Sequence, residues 1–233
     1  MVNRLDCDFS RLRMQRHDEI AVIMRMKKFD NYVCDFLVRN PDAAVVHIGC
    51  GLDTRFERVA ERNGRVEWFD LDMPDVIELR RQLIHNESSR YHLIAESAFD
   101  DNWFGEVSKF KPRPFLFLAE GVFPYFEEAQ IKSLFLKLRD HFPGSELVCD
   151  AHTPFVIWAD NLQLAYAKVD ARLHWSLKHG KDVEDWGEGI RLLDEWNYFE
   201  ADEPRMKSFR WVRLIPPLAK SSGIFHYRLG MRP

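Results

Sequence analysis

The chain has 233 residues, 46% of them hydrophobic and 30% charged, which is enough for one α/β domain with room for a substrate cap. Its 37 acids and 33 Lys and Arg residues are interspersed and leave a formal net charge of −4, so the composition gives no support for nonspecific nucleic-acid binding. No stretch approaches the roughly 20 apolar residues that a membrane span needs.

Residues 11–38 read as a helix, with Ile20, Ile23, Met24, Tyr32, Phe36 and Leu37 recurring near the helical period. Asn40-Pro41-Asp42 breaks it. A first strand is expected over 45–49, and a helix over 54–63. Residues 66–71 read as a second strand, and Pro74 suits the first turn of the helix that follows. Third, fourth and fifth strands are expected over 91–95, 114–119 and 146–150, with an amphipathic helix over 127–141. The fourth, Phe-Leu-Phe-Leu-Ala after Pro114, is apolar throughout, as a central parallel strand should be. Residues 155–200 are rich in Trp and His and read as helical or irregular, a substrate cap. Residues 207–215 and 223–231 read as two closing strands, paired as an antiparallel hairpin.

This alternation predicts a doubly wound, mostly parallel seven-stranded sheet of Rossmann-like type with a helical cap. The whole chain is expected to form one domain: an N-terminal helical lid over about 1–40, a core over about 41–154 and 201–233, and a cap over about 155–200.

Cys7, Cys34, Cys50 and Cys149 make no CxxC pair or other metal spacing, so no metal site is expected. Cys50 and Cys149 lie in or beside apolar runs, where reduced thiols belong, which predicts a reducing, cytoplasmic setting. The charged N-terminus has no apolar core of the kind a signal peptide carries.

In an open parallel sheet, ligands bind beyond the carboxyl ends of the strands. Those ends carry Gly49-Cys50-Gly51, then Asp70 and Asp72, then Glu96-Ser97, then Glu120-Gly121, then Asp150 and His152. The glycines let the backbone approach a ligand closely. Thr54 stands where the third glycine of a dinucleotide fingerprint would fall, which favours a nucleoside without phosphates, S-adenosyl-L-methionine, over a nicotinamide dinucleotide. An acid about 20 residues beyond the glycines suits a ribose diol. Asp72 is the first choice and Asp70 the second. Glu96 and Ser97 are expected beside the adenine, and Glu120 beside the cationic end of the ligand.

Four strings together resemble the leucine carboxyl methyltransferase family, including its tetracenomycin-type polyketide O-methyltransferases: Gly49-Cys50-Gly51-Leu52-Asp53-Thr54-Arg55, Phe69-Asp70-Leu71-Asp72-Met73-Pro74, the stretch from Glu96 to Trp103, and Glu120-Gly121-Val122-Phe123-Pro124-Tyr125. The resemblance covers about residues 20–155. It implies a class I methyltransferase that converts S-adenosyl-L-methionine to S-adenosyl-L-homocysteine. It also implies that Arg25 pairs with the methionine carboxylate, that Asp72 takes the ribose, and that Glu96 and Ser97 flank the adenine. Glu96 departs from the family's usual Asp, and Ser97 from a common Leu.

The acceptor is expected to be a small molecule methylated on a carboxyl or hydroxyl oxygen, with no nucleic-acid or membrane partner. A protein carboxyl group as acceptor, and a non-catalytic cofactor-binding module, are the alternatives. A hydroxyl acceptor needs a base. His152 is best placed for that role, and Tyr125 is a second candidate. Phe155, Trp158, Tyr166, Trp175 and Trp186 suit either an aromatic acceptor pocket or the cap's own core.

Overall fold

The computed structural model describes residues 16–61, 63–201, 203–205, 211–212 and 214–231. Its elements in chain order are α1 (Arg16–Arg39), β1 (Ala44–Ile48), a single π-helical turn (Phe56–Ala60), β2 (Glu67–Asp72), α2 (Pro74–Leu83), β3 (Tyr91–Ala95), α3 (Asn102–Ser108) and β4 (Phe115–Ala119). A short 3-10 turn (Phe123–Tyr125) leads to α4 (Glu128–His141), β5 (Ser145–His152), α5 (Pro154–Tyr166), a second 3-10 segment (Gly180–Trp186), β6 (Ile190–Asn197), α6 (Pro216–Ala219) and β7 (Ser222–Leu229).

The strands form one sheet in the order β3-β2-β1-β4-β5-β7-β6. β1 to β5 run parallel, and β7 is antiparallel to both β5 and β6. All five residues of β1 and of β4 are buried, because helices cover both faces of the sheet. One face packs Val46, Phe69 and Phe117 against Trp103 of α3 and Phe135 of α4. The other packs Val45, Trp68 and Leu118 against Phe29, Val33 and Phe36 of α1. The chain reverses its winding between β1 and β4, so a crevice opens beyond their carboxyl ends.

Local signals fix several boundaries. Pro74 occupies the first turn of α2. Glu127 and Gln130 form a reciprocal capping box at the start of α4.

The sixth strand corrects the sequence reading. It lies at Ile190–Asn197, inside the segment expected to be cap. Its alternation of Ile190, Leu192 and Trp196 is interrupted by a bulge between Leu192 and Asp194, which hides the period-2 pattern. Of the expected strand over 207–215, residues 207–210 and 213 lie outside the described residues, and Trp211, Val212 and Leu214 belong to short turns. Residues 11–15 of the expected first helix also lie outside. The expected helix over 54–63 is reduced to the π-helical turn.

Candidate functional site: the crevice at the strand tips

The bend after β1 needs glycine twice, for two reasons. Gly49 has φ +64, and a Cβ there would sit 2.3 Å from Val122 Cγ2. Its missing side chain therefore makes room for the segment after β4 rather than for a ligand. Gly51 has φ +50, and its Cβ position faces open space. The Gly51 amide donates to Asp72 Oδ2 at 2.8 Å, so the tip of β2 holds the bend. The other Asp72 oxygen accepts from the Met73 amide.

Asp70 is a correction. It is buried, and its carboxylate is already occupied. Trp68 Nε1 donates to Oδ1 at 2.8 Å, the Tyr91 hydroxyl donates to Oδ2, and Arg80 pairs with Oδ2. His47 Nδ1 lies 3.6 Å away. Burial alone would raise the Asp70 pKa; His47, Arg80 and Tyr91 reverse this and hold it below the usual carboxylate range. Buried as it is, it offers no exposed oxygen to a ribose. Arg80, equally buried, donates to the carbonyls of Gly51 at 2.9 Å and Asp53 at 2.6 Å. Asp70 thus neutralises the arginine that shapes the bend from below.

At the tip of β3, Glu96 Oε2 is buried and has no hydrogen-bond partner among the described residues. Ser97 Oγ accepts from the Phe99 amide at 3.3 Å and shapes the turn.

Glu120, at the tip of β4, is paired within the chain. Oε1 accepts from Arg25 Nε at 2.8 Å, and Oε2 accepts from Arg55. Arg25 NH1 also donates to Asp150 Oδ2 at 3.0 Å, and Asp150 Oδ1 takes the Gly121 amide at 2.7 Å. Buried Tyr198 also acts electrostatically on Arg25. Burial would lower the Arg25 pKa, but Asp150, Tyr198 and Glu120 outweigh it and raise it. Arg55 has no exposed surface and pairs with Asp30, Asp53 and Glu120.

Sequence reasoning missed Arg55, Arg80, Tyr198 and the pairing role of Asp150. Arg55 ends the quoted Gly-Leu-Asp-Thr-Arg string and Asp150 is a strand-tip acid, so both carried a signal. Arg80 carried none, because a charge on an amphipathic helix reads as a solvated face.

His152 is the last residue of β5 and is partly buried. Its Nδ1 lies 2.8 Å from Ser222 Oγ. Burial lowers its pKa below the ordinary 6.5, opposed in part by Asp150 and Asp160. Tyr125 is 48% exposed, on the turn after β4. The cap aromatics divide. Trp175 and Trp186 pack into the core with Phe123 and Phe135. Phe155, Trp158 and Tyr166 are exposed on α5.

Among the described residues no cluster of His, Cys, Asp or Glu is arranged to hold a metal, and no helix is long and apolar enough to cross a membrane. The crevice does fit a sulfonium nucleoside. It has open space over Gly51, an acid at the β2 tip, an unpaired buried oxygen at the β3 tip and an arginine at the far end.

Sheet order, glycine bend and strand-tip acids together are the architecture of class I S-adenosylmethionine-dependent methyltransferases. Solved structures agree at the level of fold. A Thermobifida fusca protein solved as a candidate methyltransferase superposes with a TM-score of 0.66 at 14% identity, covering 90% of this chain and 82% of that one. Human N-acetylserotonin methyltransferase in complex with S-adenosylmethionine gives 0.52 at 12% identity, covering 84% of this chain and 49% of that one. The chain belongs to the leucine carboxyl methyltransferase family, whose model matches residues 6–139. It is 34% identical to the tetracenomycin polyketide synthesis O-methyltransferase TcmP of Streptomyces glaucescens, over 97% of this chain and 85% of that protein. It is 35% identical to the S-adenosyl-L-methionine-dependent methyltransferase dpfgK of Gibberella zeae, over 88% of this chain and 73% of that one. It is therefore an S-adenosylmethionine-dependent methyltransferase.

Proposed function

We propose that the protein methylates an oxygen of a small, flat, polyketide-like acceptor. The observation that carries this reading is the likeness to TcmP over nearly the whole chain. The exposed aromatic face of α5 beside His152 supports it. When bound, S-adenosylmethionine supplies an electrophilic methyl group on a sulfonium.

The chain's own residues do the rest. Asp72 accepts from the ribose hydroxyls while it holds the Gly51 amide. Glu96 takes the adenine amine on its unpaired oxygen. Arg25 receives the methionine carboxylate by partial exchange from Glu120 and Asp150. Gly49 and Gly51 fix the bend, and Ser97 the turn beside the base. Phe155, Trp158 and Tyr166 offer the acceptor an apolar wall, with Tyr125 at its rim. His152 serves as base where the acceptor needs one. Buried free thiols at Cys50 and Cys149 support a reducing, cytoplasmic setting. The cap shortens to about residues 154–179, ahead of the closing strands.

A thermal-shift titration with S-adenosylmethionine tests the site. Asp72→Ala is expected to abolish the shift at a cost of about 1 to 2 kcal/mol to the free protein, since it removes two half-exposed bonds to backbone amides. Glu120→Ala is expected to weaken the shift and also cost about 1 to 3 kcal/mol, because Arg25 and Arg55 each lose a buried carboxylate partner while Arg25 keeps Asp150 and Arg55 keeps Asp30 and Asp53. A wild-type shift retained in both variants would remove the assignment.

A further inference from the structure

We propose that His47 is a positioning residue for the cofactor: as the neutral imidazole with its proton on Nδ1, it links the arginine cluster at the methionine end of the crevice to the glycine bend at the ribose end. The link rests on the reading above, in which Asp72 holds the ribose and Arg25 the methionine carboxylate.

His47 is an exception in its strand. β1 is buried along its whole length and otherwise consists of Ala, Val, Val and Ile. Val46 and Ile48 pack into the face covered by α3 and α4, so alternation turns His47, with Val45, toward α1. The ring is 2% exposed. A polar ring in such a place is costly unless its neighbours use its nitrogens. The neighbours allow one arrangement. Nε2 lies 3.4 Å from Arg55 NH1. A guanidinium can only donate, so Nε2 accepts and carries no proton. The single proton of the ring therefore sits on Nδ1. That nitrogen has no hydrogen-bond partner among the described residues, and it faces Asp70 Oδ1 at 3.6 Å. At this distance the contact is between an ion and a dipole rather than a hydrogen bond. The sheet sets it, because His47 and Asp70 are register partners in the parallel β1–β2 pair.

Two buried charge groups meet at the ring. On one side, Arg25 and Arg55 are joined through the two oxygens of Glu120. On the other, Asp70 pairs with Arg80, which donates to the Gly51 and Asp53 carbonyls of the bend. The imidazole dipole matches both, with its lone pair toward the cation and its N–H toward the anion. Arg55 sends Nε to Asp30, NH2 to Glu120 and Asp53, and NH1 to His47. Without the ring this guanidinium loses an anchor, and Glu120 and Arg25 lose the orientation it gives them. Asp70 loses the dipole that faces it, on the side where Arg80 supports the bend.

Two ligands read the two ends separately by calorimetric titration. S-adenosylhomocysteine has the amino-acid tail; 5′-methylthioadenosine keeps the nucleoside and lacks that tail. His47→Leu fills the space and cuts both contacts. It should weaken S-adenosylhomocysteine about tenfold and methylthioadenosine about threefold. His47→Gln, with an acceptor and a donor at similar reach, should stay within about twofold of the wild type for both. His47→Asn keeps a donor toward Asp70 but falls short of Arg55. It should weaken S-adenosylhomocysteine about threefold and leave methylthioadenosine unchanged. The ¹⁵N shifts of His47 in the wild type should place the neutral ring's proton on Nδ1. If His47→Leu does not fold, His47→Asn and the ¹⁵N shifts decide.

Equal losses for the two ligands in His47→Leu would mean that the ring serves the bend alone, and a loss for S-adenosylhomocysteine alone that it serves the arginines alone. Either result overturns the link. So do unchanged affinities in His47→Leu, a His47→Gln variant as weak as His47→Leu, equal losses in His47→Asn, or a proton on Nε2. If the wild type binds neither ligand, the reading of the crevice fails as well; if it binds both, only the role of His47 falls.

Discussion

Gly49 and Gly51 are one residue type with two functions, and substitution separates them. Alanine at Gly49 meets Val122 at 2.3 Å and a left-handed backbone, a combined cost of about 3 kcal/mol. Pairing Gly49→Ala with Val122→Ala should recover the packing share but not the backbone share, read as urea midpoints. Alanine at Gly51 meets open space and bears only the backbone cost, about 1 to 2 kcal/mol, yet should weaken S-adenosylmethionine binding more strongly than the Gly49 change does. The same contrast governs the two acids of β2. Asp70 and Asp72 share a string, a residue type and a side of the strand. Only the buried partners of the first, Trp68, Tyr91 and Arg80, tell them apart. Those partners come from three separate stretches of chain, so no local pattern announces them. Tyr91→Phe takes a donor from Asp70 and an acceptor from Arg80, and should cost about 1 to 3 kcal/mol by chemical denaturation.

Among the elements, β5 joins the parallel half of the sheet to the antiparallel half, and Glu146 near its start is held from both sides. Arg39 of α1 donates to both of its oxygens, at 3.1 and 2.9 Å, and His226 of β7 lies 2.8 Å from Oε2. Burial would raise its pKa, but His226 and Arg39 overcome this and hold it at about 2. The folded value lies below the unfolded one, so its contribution is fully present above about pH 4.5 and disappears as pH falls toward 2. Acid titration of stability should be steeper across that window in the wild type than in Glu146→Gln, by on the order of 3 kcal/mol in total. The elements also differ in how plainly the sequence declares them. β1 and β4 are buried on both faces and are spelled as unbroken apolar runs. β6 is an edge strand with a bulge and several exposed residues, so its alternation slips by one residue midway.

Across the whole molecule, α1 is fastened at three heights. Arg39 holds the amino end of β5, Asp30 meets Arg55 and Arg58 beside the glycine bend, and Arg25 reaches Glu120 and Asp150 at the crevice. The acids of the strand tips were legible as a converging set, because their strands could be read and the winding rule does the rest. Their cationic partners were not, since a helix distant in sequence supplies Arg25 and nothing local says which carboxylates it meets. One consequence concerns ligand entry. Arg25 is already paired with Glu120 and Asp150 before any visitor arrives, so on the proposed assignment the amino-acid tail of the cofactor does not fill an empty berth; it cuts in on an existing partnership. Recognition at that end is then a swap between near-equals. Trimming the tail's carboxylate, as in decarboxylated S-adenosylmethionine, should weaken affinity far less than disturbing the ribose contact at Asp72.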